Sequence, residues 1–369
     1  MIYFWAALAA IISFTLSWQL RKYAIRRKLA IPPRERDVHN RPTPRLGGVA
    51  VVGAFLLVMI LIAAFGGKSA TDFGFPFAIL GVSIDKRLLG ILIATVFISL
   101  VMLRDDLKGV PAFWKFIAQI ATGLILVVTG VGITYLNNPF GLTINLESIR
   151  IPVQIGANVY HLVLWADLLL LAWVGLLMNA TNFIDGLDGL AATLSVVSGS
   201  ILVALSLNVS QSATALLAAV FVGAVIGFLP FNLPAGRQAC PTAKMFLGDT
   251  GAMFLGLMLA VLTLITGGKL ATLLLVFGLV ILDALYVVAK RVAQGRNPFT
   301  TADQTHLHHR FLRAGFSPAS TLIFITLYSL AFGLAGLLTS GKLKIELIGV
   351  LAALSIALFV YLDFKVKKA

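Results

Sequence analysis

Long apolar runs separated by short polar breaks set the pattern of this chain. They fall at residues 2–20, 46–66, 88–103, 113–131, 160–178, 190–207, 212–230, 250–266, 270–289, 318–338 and 345–363. Most approach the roughly 20 residues that a helix needs to cross a hydrocarbon core. The alternation of apolar and polar residues that marks a transmembrane β-barrel is absent. The pattern predicts an all-α polytopic membrane protein with eleven spans, in one domain over residues 1–369. The first run has no basic region before it and no small-residue cleavage site, so it reads as a retained span and not as a signal peptide. The polar stretch 132–158 is the longest break on its side, and Asn137-Asn-Pro-Phe-Gly with the alternation after it predicts a small external β-hairpin.

Composition agrees: 59% of residues are hydrophobic and only 12% are charged. The formal net charge is +14. Nucleic-acid binding is disfavoured, because the basic residues are scattered between spans. Placing the N-terminus outside and the C-terminus inside puts 22 of the 29 lysines and arginines on the cytoplasmic side, as the positive-inside rule asks. The first basic loop, Arg21 to Lys28, then meets lipid headgroups. The single Cys240 excludes an internal disulfide.

With this topology every unusual polar cluster lies on one face, in the loops 21–45, 104–112, 179–189, 231–249 and 290–317. The central one runs Asn179-Ala-Thr-Asn-Phe-Ile-Asp-Gly-Leu-Asp-Gly-Leu190. Asn179, Asn182, Asp185 and Asp188 recur at every third position, so on a helix at least the first three share an edge. Carboxylates at the end of a span are costly and mark function. Asp105 and Asp106 follow the third run; adjacent aspartates on a helix point about 100° apart, which gives them different jobs. Lys108 and Lys115 are near them. Asp249 lies between Gly248 and Gly251 at the mouth of the eighth run, either as a plain N-cap or at a phosphate-favouring helix terminus. Arg41 and Arg45 face phosphate or serve the loop structure. His306, His308 and His309 with Arg310 and Arg313 form an anion site, and Asp283 is a charge within the ninth run without an assigned role. His39, His161 and Asp167 read as structural. Oxygen-rich carboxylates suit Mg²⁺ better than zinc. Residues alone point to Mg²⁺-dependent phosphoryl chemistry on a membrane lipid. A secondary transporter is the competing class, disfavoured because its charged groups would sit near the midplane within two related halves.

Asp105-Asp106, Asn179-x-x-Asn-x-x-Asp-Gly-Leu-Asp-Gly-Leu190, Phe246-Leu-Gly-Asp-Thr-Gly251 and His306-Leu-His-His309 resemble, in order, the motifs of the polyprenyl-phosphate N-acetylhexosamine-1-phosphate transferases. Pro42-Thr-Pro-Arg-Leu-Gly-Gly48 is similar to that family's N-terminal loop. His-x-His-His-Arg resembles the branch that uses UDP-N-acetylglucosamine and undecaprenyl phosphate. The peptidoglycan branch, which uses UDP-MurNAc-pentapeptide, carries consecutive histidines where this chain has Leu307.

The resemblance implies roles at the matching positions. Asp249 would ligate Mg²⁺ (Mn²⁺ as its substitute), with Asn182 as second ligand. Asp105 would be the base toward the lipid phosphate, which attacks the β-phosphorus directly; an aspartyl-phosphate intermediate is the competing route. Asp106 would organise Lys108 and Lys115. Asp188 and Phe246 would meet the uracil, and His306, His308, His309 and Arg310 the diphosphate and sugar. Asp185 would lie near the metal or a lysine. Arg45 and Asn179 complete the substrate site. The implied setting is the inner (plasma) membrane, with the active face toward the cytoplasm, a surface-glycan lipid as product, and a homodimer as assembly.

Overall fold

The computed structural model describes residues 1–27, 29, 43–66, 72–74, 76–79, 82–136, 141–155, 158–234, 243–265, 270–295 and 305–368. Arg41, His39, Asp303 and the turn residues 137–140 lie outside them.

Each predicted run becomes helical, the one at 270–289 in two pieces, because a backbone with no water to bond must satisfy itself internally. The helices are α1 (Ile2–Arg26), α2 (Gly47–Phe65), α3 (Lys86–Lys108), α4 (Ala112–Val128), α5 (Leu164–Ile184), α6 (Leu190–Asn208) and α7 (Ser212–Asn232). They continue with α8 (Gly248–Leu264), α9 (Leu270–Val276), α10 (Gly278–Ala293), the short α11 (Leu307–Arg313), α12 (Pro318–Leu338) and α13 (Gly341–Lys368). Among the described residues eight helices are long and apolar enough to cross a membrane, or nine if α9 and α10 count as one bent span. The apolar α4 and α8, of 17 residues each, are shorter. The run at 270–289 is therefore not one straight helix: α9 and α10 meet at an angle of 81°.

Among the described residues three two-stranded antiparallel sheets complete the fold. Strands β1 (Pro76–Ile79) and β2 (Val82–Asp85) pair, as do β3 (Tyr135–Leu136) with β4 (Ile144–Asn145) and β5 (Arg150–Ile155) with β6 (Asn158–Val163). The last pair reaches beyond the predicted polar stretch, so the fifth helix begins at Leu164 and not near 160.

Helix α8 is the axle. It is buried along nearly its whole length and packs against α2, α3, α5 and α6. Around it, α1 lies on α2 and α7, while α12 and α13 flank α9. Helices α2 and α8 approach closely where Gly48 meets Gly251. A Cβ on Gly48 would stand 2.1 Å from the Gly251 backbone nitrogen. That contact is continued by the loops, where the Gly47 amide donates to Phe246 O at 3.0 Å, Gly48 to Leu247 O at 2.7 Å, and Phe246 to Pro44 O at 2.8 Å.

Candidate active site

The described residues of the five polar clusters meet at one end of the bundle. Asp106, on the last turn of α3, reaches across to the start of α8. Its Oδ1 accepts from the Asp249 amide at 2.8 Å; its Oδ2 accepts from the Thr250 amide at 3.0 Å and the Thr250 hydroxyl at 2.6 Å. The first amides of a helix have no partner within it, and a neighbouring helix here supplies one. Gly248 makes room: it adopts φ +75°, and a Cβ there would come within 2.8 Å of both Asp106 oxygens.

Lys115, near the start of α4, bridges the two halves of the site. Its ammonium donates to Asp105 Oδ2 and, at 2.7 Å, to Asp249 Oδ2. The resemblance gave Lys115 to Asp106; the structure pairs it with Asp105, because Asp106 is turned toward the α8 amides. Lys108 is exposed at the end of α3. One turn past Lys115 lies Gln119, a buried residue that the sequence reading missed. Gln119 and Asn179 exchange hydrogen bonds at 3.2 and 2.8 Å, and Asn179 also donates to Gly175 O at 2.8 Å. The signal was a four-residue spacing: a polar residue at Lys115 plus four falls on the same helix face.

Asn182 is within hydrogen-bonding reach of Asp249. Asp185 caps α5 at the same place. Burial pushes its carboxyl well above the usual carboxylate range; Asp249, Asp106 and Asp188 add to that, and Arg45 opposes it. Asp188 accepts from the Ala243 amide at 2.7 Å, tying the central motif to the segment before Phe246. Phe246 itself is half-buried, its backbone held between Pro44 and Gly47.

The histidines close the site from the far side. His308 is 1% exposed and packs on Gly186, where a Cβ would be 2.4 Å from its Nε2. Burial drives its pKa well below the ordinary histidine value, so it is a neutral imidazole. His309 lies against it, with ring centroids 4.1 Å apart. His306 stacks on Phe183 at 4.7 Å. Arg310 and His306 both contact Asp283, the intramembrane charge that had no assigned role. Asp167 accepts from the Val163 amide and His161 is exposed on β6.

Asp249, Asn182 and the nearby Asp185 offer hard oxygen donors, the chemistry Mg²⁺ prefers. Among the described residues no three His, Cys, Asp or Glu side chains form a metal cage.

An apolar bundle that gathers carboxylates, one bridging lysine and a histidine cluster at one end defines a multi-pass membrane protein with a polar site at the end of its helices. The family model described as Glycosyl transferase family 4 matches residues 88–267, from α3 through α8. The decaprenyl-phosphate N-acetylglucosaminephosphotransferase of Mycolicibacterium smegmatis is 33% identical over 360 residues, covering 89% of this chain and 80% of that protein. A Bacillus subtilis protein described as "Probable undecaprenyl-phosphate N-acetylglucosaminyl 1-phosphate transferase" is 28% identical over 324 residues, covering 86% of this chain and 79% of its own. The phospho-N-acetylmuramoyl-pentapeptide-transferase of Staphylococcus aureus is 27% identical over 346 residues, covering 91% and 98%. This chain belongs to glycosyl transferase family 4.

Proposed function

We propose that the protein transfers N-acetylglucosamine 1-phosphate from UDP-N-acetylglucosamine to undecaprenyl phosphate and releases UMP. The observation that carries this is the Lys115 ammonium held between Asp105 and Asp249. An ammonium has three donors. Two are used, which leaves one for a phosphate oxygen. Phosphoryl transfer asks for positioning and charge neutralisation above all, and this bridge supplies both. A lipid phosphate oxygen attacks the β-phosphorus, a new P–O bond forms, and the bond to UMP breaks. Asp105 orients the attacking phosphate or takes its proton. Asp249 and Asn182 are the residues to hold Mg²⁺, which when bound neutralises charge on the diphosphate and on the departing UMP.

The names of the relatives favour the N-acetylglucosamine donor over the pentapeptide one, at 33% against 27% identity. Leu307 supports the same choice. Its side chain is 1% exposed, in the core, where a fourth imidazole would be one more buried polar group. We read eleven crossings, with α9 and α10 as one bent span, the N-terminus outside, and the site at the cytoplasmic face of the inner membrane. The charge bias of 22 in 29 supports that orientation.

The test is UMP release by detergent-purified protein given undecaprenyl phosphate, Mg²⁺ and either UDP-N-acetylglucosamine or UDP-MurNAc-pentapeptide. UMP from the first alone is the expected result. UMP from the second alone moves the chain to the peptidoglycan reaction, and none from any sugar nucleotide overturns the reading.

A further inference from the structure

His306 caps α11 and Arg310 lies one turn into it, yet both turn toward one carboxylate of α10. Asp283 Oδ2 stands 3.2 Å from His306 Nδ1, and Asp283 Oδ1 accepts from Arg310 Nη2 at 2.6 Å. All three side chains are buried. The Tyr286 and Phe359 rings enclose the guanidinium at 4.7 and 4.5 Å, and Asp363 Oδ1 is 3.8 Å from Nη1. Tyr286 in turn donates to Asp363 at 3.0 Å. On its other side His306 stacks on Phe183, the neighbour of Asn182 on α5.

We propose that Asp283 is a positioning residue for the transfer: it fixes His306 as the Nδ1-protonated tautomer and, through Arg310, pins α11 against α10 and α13. Arg310 is then a strut and not a phosphate ligand. A carboxylate in an apolar helix is costly unless paired and hydrogen-bonded, and α11 supplies both partners. The bond at Nδ1 decides what the other nitrogen does: Nε2 becomes an acceptor, its lone pair in the plane of a ring whose face is held by Phe183. The kinetic arm below rests on the proposed reaction, whereas the spectroscopic arm does not.

Asp283→Asn makes a specific change. Arg310 can only donate, so it keeps the one remaining oxygen. The new amide NH₂ then faces Nδ1, which must accept, and His306 switches to the Nε2-protonated tautomer. Full-length protein labelled with ¹⁵N-histidine in detergent shows this by NMR, with His306→Gln assigning the resonance. The wild type is expected to show Nδ1 protonated and Asp283→Asn to show Nε2 protonated. UMP release is expected to lose kcat by about 10- to 100-fold, by analogy with the loss when the partner orienting a metal-bound histidine is removed, with little change in KM for the sugar nucleotide. The Asp283→Leu/Arg310→Met double variant removes both charges together and is expected to melt near the wild-type temperature while its kcat stays low and its His306 tautomers mix. An Nδ1-protonated His306 in Asp283→Asn, or wild-type kcat in the double variant, overturns the proposal. If the wild type releases no UMP, the proposed reaction fails and the tautomer result still decides the role of Asp283. If Asp283→Asn does not fold, the double variant's tautomer decides it.

Discussion

Gly48→Ala tests whether the α2–α8 approach sets the position of the catalytic groups. The added Cβ would stand 2.1 Å from Gly251 N, 2.6 Å from Gly251 Cα and 2.9 Å from the Thr250 carbonyl carbon. All three are backbone atoms, so no rotamer change relieves the clash. Restoring an ordinary contact of about 3.4 Å moves the two helices apart by about 1.3 Å at that point. The moved segment carries Asp249 and Thr250, which Asp106 holds from α3. Overpacking of this kind costs about 1–3 kcal/mol of stability, and a misplacement near 1 Å costs about 100-fold in rate. Gly53→Ala is the control on the same helix, since its Cβ would meet only Leu16 Cδ1, at 3.5 Å. UMP release and thermal unfolding of both variants in the same detergent give the comparison. Gly48→Ala is expected to lose about two orders of magnitude in kcat and several degrees in Tm, with Gly53→Ala near wild type. Equal behaviour of the two variants would refute the reasoning.

Lys115→Met leaves Asp105 and Asp249 facing each other without the ammonium between them. Its kcat at saturating substrates is expected to fall by about 10²–10³-fold, the loss seen when one preorganised donor at a developing charge is removed; a residual rate above one-tenth of wild type would show that the bridge is not used. Asp185 titrates above its unfolded value, so the native state holds the extra proton and stability falls as pH rises through the interval between the two values. In Mg²⁺-free buffer Asp185→Asn is therefore expected to melt above wild type at pH 8, with the gap closing toward pH 4, while losing activity; a variant no more stable than wild type at pH 8 would contradict the crowding of carboxylates around it.

The clusters were legible because polar residues stand out in an apolar chain, and a carboxylate at the end of a span has few structural reasons to be there. Asp105, Asn179, Asp185 and Asp249 could be chosen on that ground. Their pairings could not, since they depend on helix contacts across long sequence separations. Lys115 follows Asp106 by nine residues and bonds Asp105 instead, because the start of α8 claims Asp106. Gln119 was passed over because one amide inside a span does not violate an apolar pattern as a charge does. The bend between α9 and α10 left no trace either. The residues on both sides of Phe277-Gly278 are apolar, so hydropathy runs on through an 81° turn. The hairpin before α5 was seen only in part, since β6 ends on the apolar Leu162-Val163 and merges with the span that follows.

Asp106 shows what the two adjacent aspartates do differently. Three donors converge on its two oxygens, and its side chain is buried. A group so engaged is a cap for α8, supplied from α3, and is poorly placed to form a bond to phosphorus. Asp106→Asn puts an NH₂ where one oxygen was. In one orientation that NH₂ opposes the Thr250 amide; in the other it opposes the Asp249 amide. Either way a buried backbone N–H loses its acceptor, at about 1–3 kcal/mol, and the favourable placement of negative charge at a helix start is lost as well. Asp249 then loses its fixed position, so the variant is expected to need more Mg²⁺ for half-maximal rate and to melt lower than wild type. Its pH–rate profile is expected to keep the wild-type shape at reduced height, because no titrating group of the reaction has been removed. Thr250→Val removes only the hydroxyl bond and is expected to show a milder form of the same defects. A profile that loses one limb in Asp106→Asn, with Mg²⁺ dependence and Tm unchanged, would make Asp106 an acid or base of the reaction and Asp105 the supporting partner.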